Sequence, residues 1–188
     1  MLMRLLVAFV ICLCTLMPIS ALGDQDYSAK PGETVMKVVI AGRGNIFVHI
    51  YTKEAPKTAT HIIDLAKNGF YNGQRFHKVV RTPRPFIAQV GDPASKDGDL
   101  DDPNMGSGGT GTKIPYEENG MSHEEGSVAL ASPPKDKNSG DCQFFFVLES
   151  SKFLDGKYTV FGKVVEGLEV MRTLQKGDRV ESVTIITK

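Results

Sequence analysis

From residue 35 to residue 186 the chain breaks into short β-branched and aromatic runs, each closed within a few residues by Gly, Pro, Asn or Asp. So many strands at such short spacing restrict the fold to a barrel or a sandwich. Residues 35–40 open the series, Gly42-Arg43-Gly44-Asn45 turns the chain, and 46–51 returns as the partner strand. In that returning strand Ile46, Val48 and Ile50 share one face, and Phe47, His49 and Tyr51 share the other. Further strands are expected over 75–80, 87–90, 127–131, 143–148, 158–164 and 180–186. Only two stretches have helical spacing. One is opened by Pro56, repeats Ala59, Ile62, Ile63 and Ala66, and ends at Asn68-Gly69; the other is marked by Leu168, Met171 and Leu174 and ends at Gly177. Two helices among about eight strands are enough to cap the open ends of a barrel.

With 188 residues the chain is long enough for one domain with a substantial core. Its 22 basic and 22 acidic side chains balance, which gives no electrostatic ground for nucleic acid or an anionic membrane surface as partner. The N-terminus is of a different character. Arg4 precedes an apolar run from Leu5 to Leu16, Pro18 breaks it, and Ala21-Leu22-Gly23 supplies small residues before Asp24. This is the pattern of a cleaved signal peptide over residues 1–23, so a secreted or periplasmic location is expected; the alternative is an uncleaved N-terminal anchor. Residues 24–34 are expected to form a short polar tether, and 35–188 the folded domain. Cleavage removes Cys12 and Cys14 and leaves Cys142 alone, so the mature domain has no internal disulfide and rests on packing. Beside Gln143-Phe144-Phe145-Phe146, Cys142 is read as a small buried hydrophobe.

The usual catalytic constellations are missing. His49, His61, His77 and His123 fall at no metal-ligand spacing, so no metal is expected. No G-x-S-x-G elbow is present. Gly106-Ser107-Gly108-Gly109-Thr110-Gly111 has the look of a phosphate loop, but Thr112-Lys113-Ile114-Pro115 follows instead of Gly-Lys-Ser/Thr and a helix, and it is read as a surface loop. His77 is read as a packing residue of its strand. The stretch RFHKVVRTPRPFIAQVGDP (75–93) offers cations, an aromatic ring and an amide, but no nucleophile.

The segments FYNGQRFHKVV, FIAQVGDP, GSGGTGTKIPYE, GSVALAS, SGDCQFFFVL and FLDGKYTVFGKVVEGLEVM resemble, in order and spacing, those of the cyclophilins, the cyclophilin-type peptidyl-prolyl cis–trans isomerases. The likeness covers about residues 35–188. It implies an eight-stranded antiparallel barrel closed by two helices, which agrees with the strands and helices read above. It also implies an activity that uses no cofactor and no metal, and proline-containing polypeptides as substrates. Rotation about an X–Pro bond makes and breaks no covalent bond, so no nucleophile is required; the site has only to bind the twisted amide better than the planar one. By the resemblance, Phe86, Ile87, Phe145 and Leu154 wall the proline pocket, and Gln89 positions the catalytic cation. Ala131, Ser132 and Gln143 hold the peptide backbone and the preceding residue. Phe153 stands where many relatives have tryptophan, a residue that favours cyclosporin, so weak cyclosporin binding is expected; Tyr158 takes the place of a rim histidine.

Two departures concern the cation itself. The family carries arginine directly after the histidine, where this chain has Lys78, a compact and strongly hydrated charge in place of a planar fork of donors. Just downstream, RTPRP between Val80 and Phe86 is longer than the family's turn, and Arg81 or Arg84 is a candidate to replace the missing guanidinium. The leading expectation is therefore an isomerase that assists folding of exported proteins. The rivals are a low-turnover binder of proline segments and a purely structural domain. Nothing in the sequence suggests an obligate oligomer, and a monomer is expected.

Overall fold

A computed structural model describes residues 27–188. The signal-peptide reading of residues 1–23, and residues 24–26 of the lead-in, fall outside the described residues. Along the described chain run β1 (Thr34–Ile40), β2 (Gly44–Ile50), α1 (Pro56–Lys67), β3 (Lys78–Val80), β4 (Ile87–Val90), β5 (Ser127–Leu130), β6 (Phe144–Val147), β7 (Val160–Glu166), α2 (Leu168–Thr173) and β8 (Val180–Thr187). Short 3-10 turns occupy Pro93–Lys96 and Lys152–Leu154. The eight strands form one antiparallel sheet in the order β3-β4-β6-β5-β7-β2-β1-β8. Its edges are brought together by the segments that lead into β3 and β8. Arg75 bridges Arg179, Phe76 N–H donates to Asp178 O at 2.9 Å, and Val180 N–H donates to Gln74 O at 2.8 Å. That closure explains why the strand expected over 75–80 pairs with β4 only from Lys78 onward: the backbone groups of residues 74–76 are bonded to the 178–180 segment.

The barrel interior is filled by alternate residues: Met36, Val38 and Ile40 from β1, Ile46, Val48 and Ile50 from β2, and Phe144 and Phe146 from β6, with Phe161 opposite. The helices close it from outside the sheet. α1 starts at Pro56, where a missing N–H costs nothing, and Glu117 accepts from Lys57 N–H (2.9 Å) and Thr58 N–H (2.8 Å), two of the donors a helix start leaves open. Ala59, Ile62 and Ala66 face the core, and Met171 and Leu174 enter it from α2 and its end. The lead-in is less free than a tether. From Tyr27 it lies along the outside of β1 and β2, with Ala29 buried and the Tyr27 ring 5.6 Å from that of Phe47.

The alternation that fills the barrel also builds a second apolar cluster on the outer face of β4, β6 and β5: Ile87, Ala129, Phe145, Val147, Leu154 and Val160, with Phe86, Ala131 and Tyr158 against them. This explains why every residue of β6 is buried. Its inward side chains meet the core, and its outward ones meet this second cluster, where the candidate site lies.

Candidate active site

Strand register assembles the centre of the site. Lys78 of β3 pairs with Gln89 of β4, Gln89 with Phe145 of β6, and Phe145 with Ala129 of β5. Directly paired residues point to the same side of a sheet, and neighbouring strands are about 4.8 Å apart, so cation, amide and aromatic ring stand in a row about 10 Å long. A cleft of about 720 Å³ opens over this row. Its walls include Lys78, Phe86, Ile87, Gln89, Ala131, Ser132, Gln143, Phe145, Leu154 and Tyr158. Ten of the residues singled out in the sequence are thus brought to one concavity, of a size that suits a short peptide segment.

Three are placed elsewhere. Phe153 is half exposed on the rim, edge-on to Phe86 with ring centroids 5.6 Å apart. Arg81 turns away: its guanidinium donates to the carbonyls of Arg172 (2.7 Å) and Leu174 (2.6 Å) at the end of α2, where a cation is favoured. Arg84 is exposed and is not part of the cleft wall. Lys78 is therefore the cation beside Gln89, and it has no hydrogen bond or ion pair among the described residues.

The amides are held in a fixed order. Gln89 Nε2 donates to Gln143 Oε1 at 2.8 Å, and Gln143 Nε2 donates to the carbonyls of Gly106 (2.9 Å) and Gly108 (2.7 Å). With its nitrogen so engaged, the Gln89 amide has its oxygen left to accept. The glycine-rich loop is a surface loop, as read, but it also forms the wall opposite the aromatic cluster. Two carboxylates that the sequence analysis left unassigned hold it. Asp92 accepts from Ala94, Gly106 and Gly108 N–H (2.8, 2.6 and 3.1 Å). Asp141 accepts from Thr110 and Gly111 N–H (2.7 and 2.9 Å). Gly108 must be glycine for a physical reason: a Cβ there would collide with the Asp92 carboxylate.

Behind Phe145 lies a buried group that sequence reasoning also missed. The His123 ring stacks on Phe145 (centroids 6.0 Å, planes 15° apart), and Tyr158 meets Phe145 edge-on at 5.3 Å. His123 Nδ1 is 2.8 Å from Asp155 Oδ1, which also accepts from His123 N–H, and Ser122 Oγ donates to the other carboxylate oxygen. Burial holds the imidazole pKa of His123 below its ordinary value, against the pull of Asp155. His77, buried beneath Gly106 with neither ring nitrogen bonded, is lowered for the same first reason. Cys142 is fully buried as read, its thiol pushed up to about 12 by burial first and by Asp141 next.

Both histidine shifts favour the neutral ring in the folded protein, so between the folded values and the ordinary 6.5 the unfolded chain binds more protons. Stability from these groups is complete above about pH 7.5 and declines as pH falls through the window below 6.5. The urea midpoint is expected to drop between about pH 7.5 and about pH 5.5, with a smaller drop in a His123→Phe variant.

Comparison with known proteins agrees with this geometry. The family model for "Cyclophilin type peptidyl-prolyl cis-trans isomerase/CLD" matches residues 35–187. A peptidyl-prolyl cis-trans isomerase of Helicobacter pylori is 36% identical over 166 residues, 85% of this chain and 93% of the relative. Peptidyl-prolyl cis-trans isomerase B of Bacillus subtilis is 35% identical over 136 residues, 72% of this chain and 87% of the relative. A cyclophilin-type isomerase of Cryptosporidium parvum, crystallised in the presence of the dipeptide Ala-Pro, superposes with a TM-score of 0.70 at 24% identity, over 82% of this chain and 99% of its own. With the family's strands, cleft and sequence segments all present, the chain belongs to the cyclophilin-type peptidyl-prolyl cis–trans isomerases.

Proposed function

We propose that this isomerase accelerates X–Pro rotation in exported proteins as they fold, by non-covalent stabilisation of the twisted amide at Lys78, Gln89 and the aromatic wall. The observation that carries the reading is the cross-strand row Lys78–Gln89–Phe145 under a cleft with apolar sides. The barrier to be lowered is about 18–20 kcal/mol and comes from amide resonance. Phe86, Ile87, Phe145 and Leu154 enclose the proline ring out of water. As the bond twists, the prolyl nitrogen regains a lone pair, and Lys78, paired in register beside Gln89, donates to it. Ala131 and Ser132 border the path of the preceding residues. Gln143 contributes as a brace, since both its amide ends are bonded within the protein. A donor held ready for the twisted state alone raises turnover, not affinity.

The exported-protein context rests on the signal-like residues 1–23, which support a secreted or periplasmic destination for a monomeric mature domain. Weak cyclosporin binding follows from Phe153, a smaller ring than tryptophan and without an indole N–H. One observation favours the rival reading, a low-turnover binder of proline segments: the cation is a lysine with no bond of its own to orient it.

Isomerisation of an Ala-Pro peptide by residues 24–188 tests the proposal. The natural protein is expected to accelerate it, and Lys78→Arg to raise kcat up to about ten-fold by supplying a preorganised fork. A natural protein that binds the peptide without accelerating it, and that Lys78→Arg activates, is a binder instead.

A further inference from the structure

Two sides of the apolar pocket are joined by no strand register. Phe145 belongs to β6, whereas Leu154 and the rim ring of Phe153 belong to the 3-10 turn Lys152–Leu154, which has left the sheet. Among the described residues, the hydrogen bonds that tie residues 149–157 to the rest of the protein all go to Ser122 and His123. Ahead of the turn, Ser151 N–H donates to His123 O at 2.7 Å. Behind it, Asp155 Oδ1 accepts from His123 N–H and stands 2.8 Å from His123 Nδ1, and Ser122 Oγ donates to Oδ2 at 2.7 Å. An ionised carboxylate only accepts, so the imidazole proton lies on Nδ1 and points at Asp155. The same ring lies flat behind Phe145 and edge-on to Tyr158. It is wholly buried and forms no part of the cleft wall, so it reaches a substrate only through its neighbours.

We infer that His123 is a positioning residue for the isomerisation: its ring backs Phe145, its main chain and Nδ1 hold the turn of Phe153 and Leu154, and it thereby sets the width of the pocket that takes the proline ring. This rests on the isomerase reading and adds a residue to that site. Asp155 is its partner, a carboxylate that reaches in from the surface and fixes the turn and the imidazole with one oxygen. A pocket wall grips the proline ring alike in the planar and the twisted state, so its loosening appears in KM and not in kcat. A residue that merely stabilises the fold does the reverse: its loss lowers the folded fraction, hence apparent kcat, and leaves KM where it was.

The test is the split between KM and kcat for an Ala-Pro peptide. His123→Ala is expected to raise KM about ten-fold, the low end of what a misplaced methylene costs in an apolar pocket, with kcat within about two-fold. Asp155→Ala frees the turn but keeps the ring, and should raise KM about five-fold. The double variant should stay at about ten-fold instead of reaching the product of about 50-fold, because the two side chains act as one unit. Asp155→Asn keeps an acceptor for both His123 donors, and its KM should lie within about two-fold of the natural protein's. Val183→Ala, a core change on β8 away from the cleft, should lower Tm and leave KM unchanged. If His123→Ala and Asp155→Ala lower only Tm and apparent kcat, the inference is overturned; it is overturned equally if Val183→Ala raises KM as they do. Should His123→Ala fail to fold, the two Asp155 variants decide. Absence of turnover by the natural protein overturns the isomerase reading instead, and dissociation constants of the same peptide then take the place of KM.

Discussion

Replacement of Lys78 by glutamine is expected to lower kcat for an Ala-Pro peptide by about ten- to 150-fold while KM changes little. A hydrogen bond from a charged donor contributes about 1.5–3 kcal/mol, and the bond to the prolyl nitrogen exists only once amide resonance is broken. An interaction made only in the transition state appears in kcat, not in KM. Lys78 is exposed, takes no part in the apolar wall and has no partner to orphan, so the urea midpoint should stay near that of the natural protein. The contrast with Lys78→Arg is informative because the two changes act on one atom position in opposite directions. If Lys78→Gln keeps full turnover and Arg84→Ala loses it, the cation comes from the long turn and the role assigned to Lys78 is lost. Arg81 is not a comparable candidate, since releasing it would strip two carbonyls at the end of α2 of their donor.

The parts of this protein that were legible in its sequence are those governed by period and by order. Alternation in 46–51 separates Ile46, Val48 and Ile50, which fill the barrel, from Phe47 and Tyr51, which pack outside it. Lys78, Gln89 and Phe145 are expected at one place only through the resemblance of their segments to the cyclophilins, and the strand register bears that placement out. What was not legible depends on contacts between distant residues. The 75–80 strand looked continuous, but the chemistry of Arg75 and Phe76 says nothing of the 178–180 segment that takes their backbone bonds. Arg81 and Arg84 were equivalent charges in a loop until α2 was placed beside one of them. His123 carried no motif, and its role behind Phe145 depends on Asp155, 32 residues further on. The glycine loop was read as surface, which it is; its second role arises from a carboxylate on the far side of a 3-10 turn.

That carboxylate supports the last prediction. Asp92 is almost wholly buried and accepts from three main-chain N–H groups, two of them in the glycine loop. Asparagine has the same shape but sets an NH₂ where an oxygen stood, so at least one N–H loses its acceptor and the others lose charge assistance. With about 1.5–3 kcal/mol for each charged bond and about 1–3 kcal/mol for an unmet buried donor, Asp92→Asn is expected to destabilise the domain by about 3–5 kcal/mol. For a domain of this size that corresponds to a fall in Tm of about 10 °C or more. Activity should fall as well, through KM first, since the carbonyls of Gly106 and Gly108 that this loop presents are what hold Gln143 in place. Asp141→Asn is the control that separates the causes. It removes similar bonds from the same loop, but at exposed residues where water can replace them, so its effect on Tm should be much smaller. Equal losses from the two changes would mean that the loop is held by its own conformation and not by the buried carboxylate.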